Sequence, residues 1–293
     1  MRCSDLPCHC SWELDFYSRP VQGADGKKLW ELLITDSTSS FRHVEAVPSN
    51  CVNSRELRSR VQRLIDDAER RPTTIRFFRT QMKNMISIAL SELPDVAAKP
   101  SRVTYALYDW LEERERDVYP EMPGYRKPRP EPAPMKLPVK LPEQLRGEQY
   151  AVATLPLAEF LPGGSITEEN IGFGSLCSLP PTEGLSPDTM VAGVVIFSRR
   201  SRAIAAWLTG LDLAFVSAAL ESREIYIEVG LDTQYLLARM RTPTQVLEAE
   251  TFEESKGRVR GLHFLSVQNG PEAEQPDGFW LLRDMEAANK GKR

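Results

Sequence analysis

Histidine and cysteine are scarce in this chain, with three and five among 293 residues. The cysteines, Cys3, Cys8, Cys10, Cys51 and Cys177, are odd in number and follow no regular framework, which excludes a disulfide scaffold and points to a reducing compartment. Three of them crowd with His9 into the first ten residues. No second ligand pair follows at zinc spacing, so no metal site is expected there and residues 1–11 read as an unstructured lead. Neither sign of charge dominates: 37 basic and 41 acidic side chains leave a net charge of −4, which excludes a global positive field that would draw the chain onto nucleic acid. No P-loop and no glycine-rich dinucleotide motif is present, and no nucleophile with a paired base can be assigned, so no cofactor is expected. The first ten residues lack the apolar core of a secretory signal, and little room precedes Trp12 for an organelle transit peptide. The longest apolar stretch, Ala203–Leu220, is interrupted by Asp212 and follows Arg199, Arg200 and Arg202. It is just long enough to cross a bilayer but reads as a buried core helix, so no membrane span is expected.

What is present is ordinary globular material, 41% hydrophobic and 27% charged, enough for two domains. Eight of the 22 prolines lie between Pro120 and Pro142. Proline fixes φ and removes a backbone donor, so residues 120–147 read as a semi-rigid linker, either a spacer or a docking ligand for a protein partner. This divides the chain into an N-terminal domain at 12–119, a C-terminal domain at 148–285 and a basic tail at 286–293. In the first domain, Trp12, Leu14 and Phe16 alternate with Glu13, Asp15 and Tyr17, the period of a half-buried strand. Leu29–Thr35 predicts its hairpin partner. A helix begins at Ser54 with Leu57, Val61, Leu64, Ile65 and Ala68 on one face. A strand over Thr73–Arg79 and two further helices follow, around Ile86 and around Trp110. In the second domain, strands are predicted at Gln149–Pro156, Val191–Phe197, Glu224–Val229, Thr233–Arg239, Leu262–Val267 and Phe279–Arg283. A long helix surrounds Trp207, and another runs from Thr242–Pro243 to about Gly257. The fold class is α/β, with α+β left open, as two mixed domains. Hairpin, helix, strand recurs in each half, which suggests a distant internal duplication.

Several segments are distinctive in their joint order. They include Trp12–Pro20, Lys28–Leu33, Ile75–Arg79, Pro100–Arg102, Val118–Pro120, Leu145–Gln149, Gly261–Leu265 and Gly278–Leu282. Together they resemble the Tab-two family of cyanobacteria and chloroplasts, from Trp12 to about Arg283. The resemblance implies an RNA-binding factor for translation of photosystem reaction-centre messages, with single-stranded A/U-rich RNA as partner. It also implies RNA contact at a Trp-Leu-Leu tripeptide, here Trp280, Leu281 and Leu282. The cysteine-rich start and the segment Leu161–Thr189 depart from the family pattern. These departures favour a cyanobacterial cytoplasmic member over a chloroplast precursor; in a eukaryote the stroma would be the location.

RNA binding needs cations for phosphates and flat groups for bases. Trp280 and Phe279 can supply a stacking platform, or Trp280 can pack inward with Leu282. Arg76 and Arg79 interleave with Phe77 and Phe78. Arg199, Arg200 and Arg202 stand where a strand end meets a helix start, a junction that suits phosphate. The first helix adds Arg55, Arg58, Arg60, Arg63, Arg70 and Arg71, and the tail adds Lys290, Lys292 and Arg293. Two other readings stand beside RNA binding. One is a protein-binding photosystem assembly factor acting through the proline linker. The other is a nuclease-like enzyme that holds magnesium with Glu13, Asp15 and Glu31 near Lys27 and Lys28.

Overall fold

The computed structural model describes residues 11–128, 137–167, 169–176, 184–285 and 287. The chain forms two compact units, Met1–Pro134 and Met135–Arg293. The cysteine-rich lead, the centre of the proline stretch and the basic tail, with Cys177, lie outside the described residues.

In the N-terminal unit the order is β1 (Ser11–Gln22), β2 (Lys28–Asp36), β3 (Arg42–Val47), α1 (Ser54–Asp67), β4 (Thr74–Phe77), α2 (Lys83–Ser91), β5 (Ala97–Pro100) and α3 (Tyr105–Glu113). One sheet of order β3-β2-β1-β4-β5 results, antiparallel through its first three strands and parallel from β1 to β5. Helix α1 starts after Asn53, whose side chain accepts from the Glu56 N–H at 3.0 Å. Its buried Leu57, Val61 and Ile65 pack with Trp12, Leu14, Phe16, Leu32, Ile34 and Phe77 on one face of the sheet. The opposite face was expected to be wet, since it carries Glu13, Asp15 and Glu31. Instead α3 covers it with Leu107, Trp110 and Leu111 against Leu33, and all three carboxylates are buried.

The C-terminal unit contains β6 (Val139–Lys140), β7 (Gln149–Pro156), β8 (Phe173–Ser175), β9 (Met190–Phe197), α4 (Ser201–Thr209), β10 (Leu213–Ala219), β11 (Glu224–Val229), β12 (Thr233–Arg239), α5 (Pro243–Arg258), β13 (Leu262–Gln268) and β14 (Gly278–Arg283). Its strands form two sheets, β10-β11-β12-β6 and β7-β9-β13-β14-β8. The five-stranded sheet is covered on both faces. Ala192, Val194, Leu265, Trp280 and Leu282 face α4, α5 and the smaller sheet, while Val195, Phe264, Phe279 and Leu281 face Leu157, Phe160 and Ile171. Double coverage is why β9 and β14 read as unbroken apolar runs.

The mixed α/β class holds, with three departures from the expected detail. The apolar stretch Ala203–Leu220 is not one helix: α4 ends at Thr209, Gly210 caps it, and Leu213–Ala219 becomes β10. No described helix is long and apolar enough to cross a membrane. Parts of the expected linker are built into the units. Tyr119 is fully buried in the first unit, Gly124 O accepts from Gln22 N–H at 2.9 Å, and in the second unit β6 pairs with β12 beside buried Leu141. The duplication does not extend to topology. After α1 the strand β4 rejoins the sheet of the β1–β2 hairpin, whereas after α5 the strand β13 joins a different sheet from β11–β12.

A buried ionic cluster joins the two sheets of the C-terminal unit. Lys256 on α5 is fully buried and donates to Asp284 Oδ2 and to the carbonyl of Val216 on β10, both at 2.8 Å. Glu253 Oε1 stands 3.0 Å from the same ammonium. The Val216 N–H donates to His263 Nε2 at 2.9 Å, so the ring carries its proton on Nδ1, 2.8 Å from Gly261 O. Burial, reinforced by Lys256, pushes His263 down to about 3 and keeps the ring neutral. Burial alone would raise the Asp284 carboxyl, but Lys256 holds it below the usual range. Removing one partner of such a pair strands the other charge. Lys256→Met is therefore expected to destabilise this unit by about 3–5 kcal/mol, with part of the loss recovered in Lys256→Met/Asp284→Asn. Urea unfolding of the single and double variants checks this, and equal losses in both would contradict it.

Candidate nucleic-acid interface

The charged face of the N-terminal sheet is organised by arginines rather than by a metal. Arg19 is 3% exposed, and its Nη1 donates to Asp15 Oδ2 at 2.8 Å and its Nε to Glu31 Oε2 at 3.0 Å. Arg79 grips the other side of Asp15, Nε to Oδ1 at 3.0 Å and Nη2 to Oδ2 at 3.2 Å. Arg114 Nη2 donates to Glu31 Oε1 at 2.7 Å, and Tyr119 O–H to Glu31 Oε2 at 2.7 Å. Burial would raise the Asp15 carboxyl, yet Arg79 and Arg19 together hold it below its ordinary range. Burial and the hydrogen bond to Glu31 push the Tyr119 phenol up to about 12, so it remains a donor. Two of the three carboxylates considered for magnesium, Asp15 and Glu31, are therefore occupied by guanidinium groups. No cluster of three or more His, Cys, Asp or Glu fit to hold a metal exists among the described residues.

Glu13 lies apart from this network. Its Oε2 accepts from the Leu107 N–H at 2.8 Å at the start of α3, and burial pushes its carboxyl up to about 8. Arg76, expected beside Arg79, projects to this other region: its charge acts on Glu13 and its Nη1 lies 3.4 Å from Ser101 Oγ. Arg76 and Arg79 are thus not one patch: β4 ends at Phe77, and Arg79 lies beyond it, just before the 3-10 turn at Thr80–Met82. Phe78 packs against the α3 cluster and lies 6.3 Å from the Tyr108 ring. The Arg79 guanidinium sits over Tyr17 at 4.3 Å and over Phe78 at 4.8 Å.

In the C-terminal unit the Trp-Leu-Leu tripeptide is core. Trp280 is 7% exposed, and Leu281 and Leu282 are buried on opposite faces of β14. The three arginines at the start of α4 are the reverse, Arg199 and Arg200 just before it and Arg202 in its first turn. Arg199 is 90% exposed, 3.8 Å from Glu148, and Arg202 is 86% exposed, 3.9 Å from Asp277. Arg200 Nη2 donates to Glu143 O at 3.2 Å. Glu148 also lines a groove of about 720 Å³ between the two sheets. That groove has an apolar floor of Tyr150, Val152 and Val194, with Lys140, Arg146, Arg239 and Arg241 around it. By contrast, several arginines of α1 and the segment after it are engaged locally: Arg58 with Glu92, Arg60 with Glu45 and Glu56, and, beyond the end of α1 at Asp67, Arg71 with Asp66 at 3.6 Å.

Composition and spacing did not single out Arg19, Arg114, Arg126 or the groove. For Arg19 and Arg114 the signal was indirect: carboxylates on both strands of a hairpin, buried on one face, require buried cations, and no rule of spacing says which arginines supply them.

Fold and site define a mixed α/β protein of two compact units, with cationic clefts beside aromatic and apolar floors. The family description "RNA-binding protein Tab2/Atab2" fits both units, its N-terminal model over residues 11–114 and its C-terminal domain over 128–283. The chain belongs to this Tab2/Atab2 family of RNA-binding proteins. It is 34% identical to the chloroplastic TAB2 homolog of Arabidopsis thaliana, over 96% of this chain and 76% of that protein. It is 36% identical to the chloroplastic TAB2 homolog of Zea mays, over 94% of this chain and 71% of that one. A likeness to a chain in a simian T-cell lymphotropic virus intasome complex, at 13% identity over 46% of this chain and 60% of that chain, has a TM-score of 0.28 and carries no argument.

Glu13 makes stability depend on pH. Its folded pKa of about 8 lies above the ordinary value of 4.5, so its favourable contribution is complete below about 4.5 and is lost as pH rises through about 8. Glu13→Gln keeps an acceptor for Leu107 N–H and removes the titration. Its stability relative to wild type should rise between pH 5 and 8, by at most roughly 1.4 kcal/mol per pH unit. Chemical denaturation at several pH values measures this, and parallel pH profiles for the two proteins would refute it.

Proposed function

We propose that this protein is an RNA-binding factor that promotes translation of photosystem I reaction-centre subunits, with photosystem II subunits as a second set of messages. Its place of action is the cytoplasm of a cyanobacterium, or the stroma in a eukaryote. Family membership supports RNA as the partner. The observation that carries the surface is the exposed trio Arg199, Arg200 and Arg202, with Arg199 3.8 Å from Glu148, which lines the apolar-floored groove of the C-terminal unit. The arginines meet phosphates, and the floor around Tyr150 accepts a base. In the N-terminal unit Arg79 and Phe78 add a second contact. Trp280, Leu281 and Leu282 act through the sheet, Trp280 and Leu282 holding β14 beneath α4 and Leu281 packing on the other face, rather than stacking on RNA.

Arg199→Ala/Arg202→Ala should remain folded and bind A/U-rich single-stranded RNA more weakly. Its plot of log affinity against log salt should be shallower by roughly 1.4, about 0.7 for each lost phosphate contact. Fluorescence anisotropy at several salt concentrations reads both quantities. A folded wild type that binds no RNA sinks this reading and turns attention to protein partners.

Trp280→Ala should lose RNA binding together with its folded circular-dichroism signal, at a cost of about 3–5 kcal/mol. Trp280→Phe should retain much of both. A folded Trp280→Ala that no longer binds RNA would instead assign Trp280 to the RNA contact.

A further inference from the structure

One cavity in the N-terminal unit is lined by Arg19, a buried arginine with one nitrogen left without a hydrogen bond. Arg19 has three guanidinium nitrogens; two serve Asp15 and Glu31, and Nη2 has no hydrogen-bond partner among the described residues although it is buried. Leaving a buried charged donor unsatisfied is costly, so this position calls for an acceptor. Arg19 lines a cavity of about 460 Å³, the size of a small-ligand site. Lys28, Arg79 and Arg126 line it too, against the single carboxylate Glu115, with Asp15 lying behind the guanidinium groups.

The local fold is shaped for this opening. The register of β1 against β2 shifts between Ser18 and Gln22, so the strand leaves its partner where Arg19 sits. The freed edge is taken by residues 124–126: Gln22 N–H donates to Gly124 O at 2.9 Å and Arg126 N–H to Pro20 O at 2.8 Å. Gly124 has φ +83° and would bring a Cβ to 1.9 Å from Gln22 O, so only glycine allows this approach. The clamp sets Arg126 at the mouth. Beyond Glu113 the helix widens into a π-helical turn, Arg114–Val118, which seats Arg114 on Glu31 and leaves Glu115 at the wall. Tyr17, beneath Arg79, supplies a flat aromatic wall.

We infer that this cavity binds the phosphate monoester of a nucleotide, with Lys28 and Arg126 on the phosphate, Arg19 supplying positive charge from the wall and Tyr17 beside the base. A phosphate monoester offers the multiple oxygens that convergent guanidinium and ammonium groups require. Two sources share this chemistry, the 5′ end of an RNA and a free mononucleotide. Only the first rests on the RNA reading above.

The test uses the full chain. AMP and inorganic phosphate should each raise the melting temperature of wild type beyond sodium chloride at equal ionic strength, and not that of Lys28→Gln/Arg126→Gln. A 5′-phosphorylated A/U-rich oligonucleotide should bind about tenfold more tightly than its 5′-hydroxyl twin. That ratio should fall to about one in the double variant and persist in Arg71→Gln, a charge change elsewhere on the unit. A melting shift without 5′-end preference supports the cavity and assigns it to a free mononucleotide. If no oligonucleotide binds at all, the RNA reading fails while the AMP arm still decides the cavity. No melting shift with either anion, together with equal affinity for the two oligonucleotides, overturns the inference.

Discussion

The interior of the N-terminal unit depends on the placement of Arg19 between Asp15 and Glu31. A carboxylate taken out of water without a partner costs several kcal/mol, and here two of them sit on adjacent strands under a helix. Arg19 alone does not neutralise both. Arg79 completes Asp15 from the loop after β4, and Arg114 completes Glu31 from the turn after α3. The hairpin, the end of β4 and the helical cover are thus fastened by one set of ion pairs. An apolar face would have packed α3 as well, but it would not have specified which segment covers it. The same set presents Arg19 and Arg79 to a cavity, so the groups that fix the fold also charge the surface.

The C-terminal unit handles buried charge by another route with a similar outcome. Lys256 reaches Asp284 and the carbonyl of Val216, while neutral His263 accepts from the N–H of the same peptide. Both polar groups of Val216 are engaged by side chains belonging to the layer it packs against. This ties β10 to the larger sheet at a defined height, where apolar contact alone would tolerate sliding. With the core ordered in this way, the cations at the start of α4 remain in solvent. On the proposed reading, the core tripeptide bears on RNA binding through integrity and the surface trio of arginines through contact.

Much of the strand and helix content was legible in the residues. The β1–β2 hairpin, α1 from Ser54, the β11–β12 hairpin and α5 at Thr242–Pro243 announce themselves by period and by caps; Thr242 and Gln245 form a reciprocal capping box. The Ala203–Leu220 stretch was misleading because an apolar run has no period of its own once both its helix and its strand are buried. Gly210 marks the break, yet a glycine inside an apolar run is equally compatible with a continuing helix.

By itself the sequence determined the mixed α/β class, most element positions, the proline-rich break and the family resemblance, because these depend on local propensity and on residue order. Only the tertiary structure decided that the charged face of β1 is interior, that Arg76 and Arg79 part company, and that Trp280 is core. It also decided that Arg19, Lys28 and Arg126 meet around one cavity. Those outcomes turn on which distant segment covers which face. That choice is made by ion pairing and close packing between residues as far apart as Glu31 and Arg114, and spacing along the chain does not encode it.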